Sequence, residues 1–147
     1  MSLAAMNPIP LDPNDPEFAL DPKGDDSTLR RVVVRYYQRC LATSERAQRF
    51  LVEHAISAEA AQRFQLGYSD RSLGAKIPNK LYKVGKCLRN QLTKLGLMRS
   101  TGHEHFRHCI VVPVFAADGS LVSVYARWKR RSNIRPLNRG LSPVVAE

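Results

Sequence analysis

The chain has 147 residues, 44% hydrophobic and 24% charged, which suits one domain with a real core and excludes a fibrous or wholly disordered protein. No apolar run is long enough to cross a bilayer, and Met1 to Leu11, with two prolines and no basic residue, is not a secretory signal. Charge is the informative number, with 23 Lys+Arg against 13 Asp+Glu and a net of +10.

The charge is unevenly spread. Residues 1–26 carry Asp12, Asp15, Glu17, Asp21, Asp25 and Asp26 against Lys23, and residues 27–147 hold 22 bases against 7 acids, a net of +15. A body this basic calls for a polyanion, and nucleic acid is the commonest. The competing reading is a protein of high pI with no such partner. An anionic membrane is disfavoured, because no helix pairs a basic face with exposed Trp or Phe. The three cysteines, Cys40, Cys87 and Cys109, are odd in number and far apart. They form neither a disulfide framework nor a C-x-x-C zinc site, and they point to a reducing compartment, the cytoplasm.

In chain order, residues 1–26 are acidic and contain Pro8, Pro10, Pro13, Pro16 and Pro22. This composition predicts a disordered or loosely held leader, a plain linker or a shield for the basic body. Asp25-Asp26-Ser27 then offers capping side chains to a helix whose inner face is Leu29, Val33, Tyr36, Tyr37, Cys40 and Leu41. Arg31, Arg35 and Arg39 recur at i, i+4 and i+8 on the opposite face, with no acid in the helix to pair with them. Such a stripe costs a few tenths of a kcal/mol per pair unless something anionic meets it.

A second helix is predicted from Ser44 to His54, with Ala47, Phe50 and Leu51 inward. A third starts at the Ser57 cap and carries Ala60, Ala61 and Phe64, leading into an extended Phe64–Tyr68 segment. Residues 69–79 are predicted to be a loop. The fourth helix is predicted over Asn79–Leu95 with an apolar stripe of Leu81, Val84, Leu88, Leu92 and Leu95, ended by Gly96. Lys83, Lys86, Arg89 and Lys94 make a second basic face there.

The period then changes. Cys109–Phe115 is a short apolar run suited to a strand, with Pro113 marking an edge or bulge. Asp118-Gly119 signals a hairpin turn, and Leu121–Arg127 is the return strand. The tail from Trp128 is predicted to be irregular and basic, with Lys129, Arg130, Arg131, Arg135 and Arg139. The expected fold class is α+β: N-terminal helices packed with a small, mostly antiparallel sheet that includes a C-terminal β-hairpin. The expected division is a leader over 1–26, a domain over 27–138 and a tail over 139–147.

Chemistry of bond-making is hard to find. His103, His105, His108 and Cys109 are dense, but they sit in one loop entering a strand rather than converging from separate elements, so no metal is expected. Gly67–Lys76 misses the phosphate-loop spacing. Glu45, Glu53, Glu59, Asp70, Glu104 and Asp118 are scattered, and no catalytic residue is assigned. Tyr36, Tyr37, Phe50, Phe64 and Phe106 suit a core. Tyr125 and Trp128 flank Arg127 in a way that would let bases stack while arginines hold phosphates.

The order of several segments resembles the catalytic core of bacterial DnaG-type DNA primases. The segments are Tyr36-Tyr37, Ala47–Leu51, Ile56–Glu59, Phe64–Tyr68, Phe106–Val114, Asp118-Gly119 and Tyr125-Ala126-Arg127. Gly102–Phe106 is similar to the variant in phages and integrative elements. The likeness spans about Leu29–Asn138. It implies the N-terminal part of the primase core, which in the family sits beside a Toprim domain and forms with it a basic cleft for single-stranded template DNA and the RNA primer. Arg107, Arg127, Arg135 and Asn138 match family positions, so the expected nucleic-acid contacts are these together with Lys129, Arg130, Arg131, Arg31, Arg35 and Arg39. The departures are His54-Ala55 for an Arg-Gly pair, Tyr125-Ala126 for two glycines, and Pro136 for a tyrosine. No zinc module or Toprim domain is expected in this chain, so magnesium is expected only in a separate Toprim domain. The resemblance implies a nucleic-acid-binding primase module in DNA replication, not catalytic alone, whose partners include a Toprim domain or replicative helicase. The alternative is a non-catalytic interaction protein, or a remnant accessory to a mobile-element helicase.

Overall fold

The computed structural model describes residues 7–12, 14–15, 17–99, 101, 103–128 and 134–136, with 126–128 and 134–136 as backbone. The fold is α+β. Five helices and two antiparallel sheets are present among the described residues, in the order β1 (Ile9–Pro10), β2 (Ala19–Leu20), α1 (Asp26–Thr43), α2 (Glu45–Glu53), α3 (Ala58–Arg63), β3 (Gly67–Tyr68), α4 (Leu73–Lys76), α5 (Lys83–Lys94), β4 (Cys109–Phe115), β5 (Leu121–Trp128) and β6 (Ile134–Pro136). Strands β1 and β2 pair with each other, and the larger sheet has the order β3-β4-β5-β6. None of the described helices is long and apolar enough to cross a membrane.

The first three helices begin where side chains can close their ends. Asp25, Ser44 and Ser57 accept hydrogen bonds from the amides of Thr28, Ala47 and Ala60, at 2.8, 3.2 and 3.0 Å. The inner face of α1 buries all six apolar residues that its spacing singles out. The main core gathers α1, α5 and the sheet around Tyr37, Leu88, Leu92, Phe106 and Val111, and a second cluster forms under α2 and α3 around Phe50 and Ile110. Where β3 crosses α1, Gly67 makes the approach possible. A Cβ there would stand 2.7 Å from Tyr37 Cβ and 2.8 Å from its carbonyl carbon.

The hairpin forms where expected. Gly119 takes φ +88, and Asp118 Oδ1 accepts from the Ser120 amide at 2.9 Å and its hydroxyl at 2.7 Å. The β4–β5 register slips once, between Val114 and Phe115. Pro113 lies beyond Val111, where the pairing of β4 with β3 stops, so the ladder tolerates a residue with no N–H there.

Five expectations need correction. The leader is not loose over its described part: β1 and β2 pair, and Leu11, Phe18 and Leu20 enter the core at 3%, 1% and 0% exposure. Acidity and proline count measure solubility and stiffness, and they miss three apolar residues placed to reach a neighbour. The segment 69–79 contains α4, because Leu73 and Ile77 plug into the core four residues apart. Helix α5 starts at Lys83, later than predicted, which leaves Leu81 87% exposed instead of in the apolar stripe. Phe64 caps α3 and lies on the surface at 59% exposure under Arg63. The tail is not wholly irregular, since β6 continues the sheet.

Candidate nucleic-acid interface

The arginine stripe of α1 does meet something anionic, and it lies in the same chain. Arg39 places one guanidinium nitrogen 2.6 Å from Asp12 and the other 2.9 Å from Asp15. Arg35 stands 3.6 Å from Asp15. Both guanidinium groups lie over the Phe18 ring, 4.1 Å away for Arg39 and 4.9 Å for Arg35. The Arg39 hydrogen bond holds the Asp15 carboxyl below its usual range. Arg31 donates to the Gly119 carbonyl at 3.1 Å.

Magnitudes decide what this contact means. Exposed ion pairs contribute roughly 0–1 kcal/mol and could be exchanged for phosphates. Burial of Leu11, Phe18 and Leu20 contributes about 1.5–3 kcal/mol each, and Gln91 further ties the segment down by donating to the Pro22 carbonyl at 2.9 Å. The hairpin is therefore part of the fold, and Arg39 and Arg35 are engaged by it.

A different set of arginines converges at the other end of β4. The β3–β4 pairing continues past Tyr68 through two hydrogen bonds, Ser69 N–H to the Cys109 carbonyl at 3.1 Å and His108 N–H to the Ser69 carbonyl at 2.6 Å. Arg71 and His108 both take positive φ, 72 and 60 degrees, so the chain turns sharply on either side of this pairing. Arg71 and Arg107 lie in the segments that flank this pairing, and Arg46 lies in α2. His108 records the convergence: burial lowers its pKa, and the charges of Arg46, Arg71 and Arg107 lower it further against a smaller opposing pull from Asp70. The imidazole is thus held neutral at neutral pH, and the positive charge of the patch belongs to three arginines from three chain segments. Burial raises the Tyr68 pKa, and the adjacent Arg46 guanidinium offsets part of that rise.

Ser69, which pairs with His108 and Cys109, also holds a buried carboxyl. Glu104, 5% exposed, accepts hydrogen bonds from the Tyr37 hydroxyl at 3.2 Å, the Ser69 hydroxyl at 3.1 Å and the Gly74 amide at 3.3 Å. It joins α1, the end of β3 and α4. Burial raises its pKa, more than the three hydrogen bonds lower it. A raised folded-state value means that Glu104 stabilises most below pH 4.5 and that this contribution is lost as pH rises through the folded value. The unfolding free energy of the wild type relative to Glu104→Gln is accordingly expected to fall as pH rises above 4.5. Urea titrations at several pH values check this, and a pH-independent difference would contradict it.

The remaining predicted contacts divide. Arg127 and Arg135 lie on the paired strands β5 and β6, where Arg127 is opposite Ile134 and Arg135 opposite Ala126 in the register. Lys129, Arg130, Arg131 and Asn138 lie outside the described residues. Tyr125 is buried at 5% exposure and belongs to the core, not to a stacking surface. Arg89 leaves the basic face of α5: it donates to the carbonyls of Gly74, Ile77 and Pro78 and clamps the end of α4. No group of three or more His, Cys, Asp or Glu side chains among the described residues could hold a metal ion. Arg46, Arg71 and Glu104 escape sequence reasoning. No local spacing links residues so far apart, and the pattern of Phe106–Val114 reaches only Arg107.

The sequence model of the DNA primase catalytic core, N-terminal domain, matches residues 36–139. The chain belongs to this primase family. A DNA primase of Pasteurella multocida (strain Pm70) is 26% identical over 108 residues, covering 67% of this chain and 17% of that protein. The structure of the DnaG catalytic core superposes with a TM-score of 0.63 at 18% identity, over 79% of this chain and 38% of that one. The DnaG primase catalytic domain bound to ssDNA gives 0.61 at 18% identity, over 78% and 39%. This primase-family chain thus spans well under half the length of each of these relatives. The β1–β2 hairpin and the first part of α1 lie outside the region that the family model matches.

Proposed function

We propose that the chain is a nucleic-acid-binding module of a DNA primase, holding single-stranded template and RNA primer by their phosphates during primer synthesis. The observation that carries this reading is that three arginines from separate segments, Arg46, Arg71 and Arg107, all act on His108, in a domain of the primase-core family. Arginines deliver forked donors that suit phosphate oxygens, and such contacts fix position without reading sequence. Arg127 and Arg135, on the adjoining strands, add positive charge to the same sheet. The related DnaG catalytic domain with bound ssDNA supports a single-stranded partner.

In this reading the chain has no bond-making residues of its own. Magnesium-dependent nucleotidyl transfer belongs to a separate Toprim domain, and the module acts in the cytoplasm within a mobile element's replication machinery. A second reading, an accessory to a replicative helicase, is favoured by the exposed Val52 and Phe64 on α2 and at the end of α3.

Binding to single-stranded and duplex DNA of equal length across a salt series tests the first reading. We expect a preference for the single strand and a steep salt slope. Arg107→Ala combined with Arg127→Ala is expected to weaken binding and flatten the slope by roughly 0.7 for each phosphate that is no longer neutralised. Restored primer synthesis on adding a Toprim polypeptide separates the primase module from the helicase accessory. Unchanged affinity in folded variants would remove these arginines from the interface.

A further inference from the structure

A second cationic surface, which shares no residue with the His108 patch, lies on α5. Between Asp70 and Glu104 the sequence has eight Lys and Arg residues and no acid. The structure folds part of this stretch into a groove of about 370 Å³. Lys80 and Leu81 enter it from the segment before α5, Lys86, Asn90 and Thr93 from the surface of α5, and Arg99 from the chain that follows. No carboxylate lines it. The ion pairs found among the described residues all involve Asp12 or Asp15, so none of Lys80, Lys86 and Arg99 is neutralised by a described side chain. Arg89 also borders the groove, but its donors are committed to the carbonyls of α4 and its end.

Two features distinguish this groove from a solvated basic face. Lys86, Asn90 and Thr93 recur at i, i+4 and i+7, so a cation and an amide follow one line along the helix, with the Thr93 hydroxyl donating to the Arg89 carbonyl at 2.7 Å. Leu81, in the lining, is 87% exposed, and the next residue, Tyr82, at the N-terminal cap of α5, is 66% exposed. Exposing a large apolar side chain and an aromatic ring among cations brings no benefit to the fold. It suits a ligand that offers phosphates to the cations and flat faces to the ring.

We propose that this groove is a second contact for single-stranded nucleic acid, with Lys80, Lys86 and Arg99 on successive phosphates and Tyr82 stacked against a base. The inference rests on the primase reading but concerns a surface separate from the Arg46, Arg71 and Arg107 patch. It gives the module two points of attachment to one strand.

The full chain is titrated with a fluorescent oligo-dT across a salt series, in wild type and in groove, patch and Tyr82 variants. The groove variant combines Lys80→Gln, Lys86→Gln and Arg99→Gln. The patch variant combines Arg46→Gln, Arg71→Gln and Arg107→Gln. Circular dichroism and thermal melts confirm that each folds. The groove variant is expected to bind about tenfold or more weakly at about 0.1 M salt, with a slope lower by about 2, since each single-strand phosphate contact contributes roughly 0.7. Tyr82→Ala is expected to bind about fivefold more weakly with the slope unchanged, and Tyr82→Phe to keep wild-type affinity. A weakened patch variant beside an unaffected groove variant overturns the groove and leaves the primase reading standing. Absence of binding by the wild type overturns both.

Discussion

Replacing Gly85 with alanine is expected to cost about 3 kcal/mol of folding stability, the upper end of what overpacking costs. The direction runs against helix propensity, which favours alanine over glycine by roughly 1 kcal/mol within a helix. Packing wins because Gly85, in the first turn of α5, faces the chain that leads into the helix. An added Cβ would stand 2.3 Å from the Pro78 carbonyl oxygen and 2.4 Å from that of Asn79. Both obstacles are backbone, so no rotamer change relieves them. The Pro78 carbonyl is also fixed from the other side, where it accepts the Arg89 Nε–H at 3.1 Å. Gly74→Ala is the control, since its Cβ would meet nothing closer than Met98 Cε at 4.0 Å. Urea unfolding of both variants measures the contrast. Equal stability of the two would mean that the segment 78–82 yields freely, and the account of the α4–α5 junction would be wrong.

Phe18→Ala is expected to cost about 3–5 kcal/mol, as for a fully buried aromatic. Phe18 is 1% exposed, packs near Tyr36 and carries two guanidinium groups on its ring. Its loss removes the apolar anchor of the β1–β2 hairpin and the surface on which Arg35 and Arg39 are laid. Salt distinguishes this anchoring from simple charge attraction. In the wild type, about 1 M salt screens the Asp12 and Asp15 pairs but leaves the buried side chains in place. The hairpin should then stay protected from proteolysis in that salt, whereas Phe18→Ala should lose protection even at low ionic strength. A change below about 1 kcal/mol, or release of the wild-type hairpin by salt alone, would show that charge holds it.

What the sequence revealed was whatever rests on neighbours in the chain. The caps at Asp25 and Ser57, the buried stripe of α1 and the Asp118-Gly119 hairpin all depend on interactions within a few residues. What it concealed depends on long-range partners. Arg39 looks unpaired along α1 because Asp12 and Asp15 lie beyond the helix. Arg89 looks like one more surface cation because the carbonyls it holds belong to α4 and its end, which composition reads as loop. Leu81 fits the helical period, but the helix begins two residues later. Glu104 looks like an isolated carboxylate until Tyr37, Ser69 and Gly74 are brought around it. The family resemblance recovered the order of the segments, whereas Arg46 and Arg71 act on His108 from parts of the chain that no local pattern links to it.

The short pairing of β3 with β4 has a kinetic consequence. The β4–β5 hairpin closes a tight loop, and such hairpins form within about 1–10 μs. By contrast, β3 contributes two residues and reaches β4 only after α4 and α5 have been looped out between them. That closure pays its chain entropy before many native interactions reward it. Arg71 follows β3 and Arg107 precedes β4, so the arginine patch does not exist until this step is complete. Assembly of the arginine patch should therefore come late in folding, and under the proposed function a strand bridging Arg71 and Arg107 would act as a staple on the slowest-formed part of the sheet.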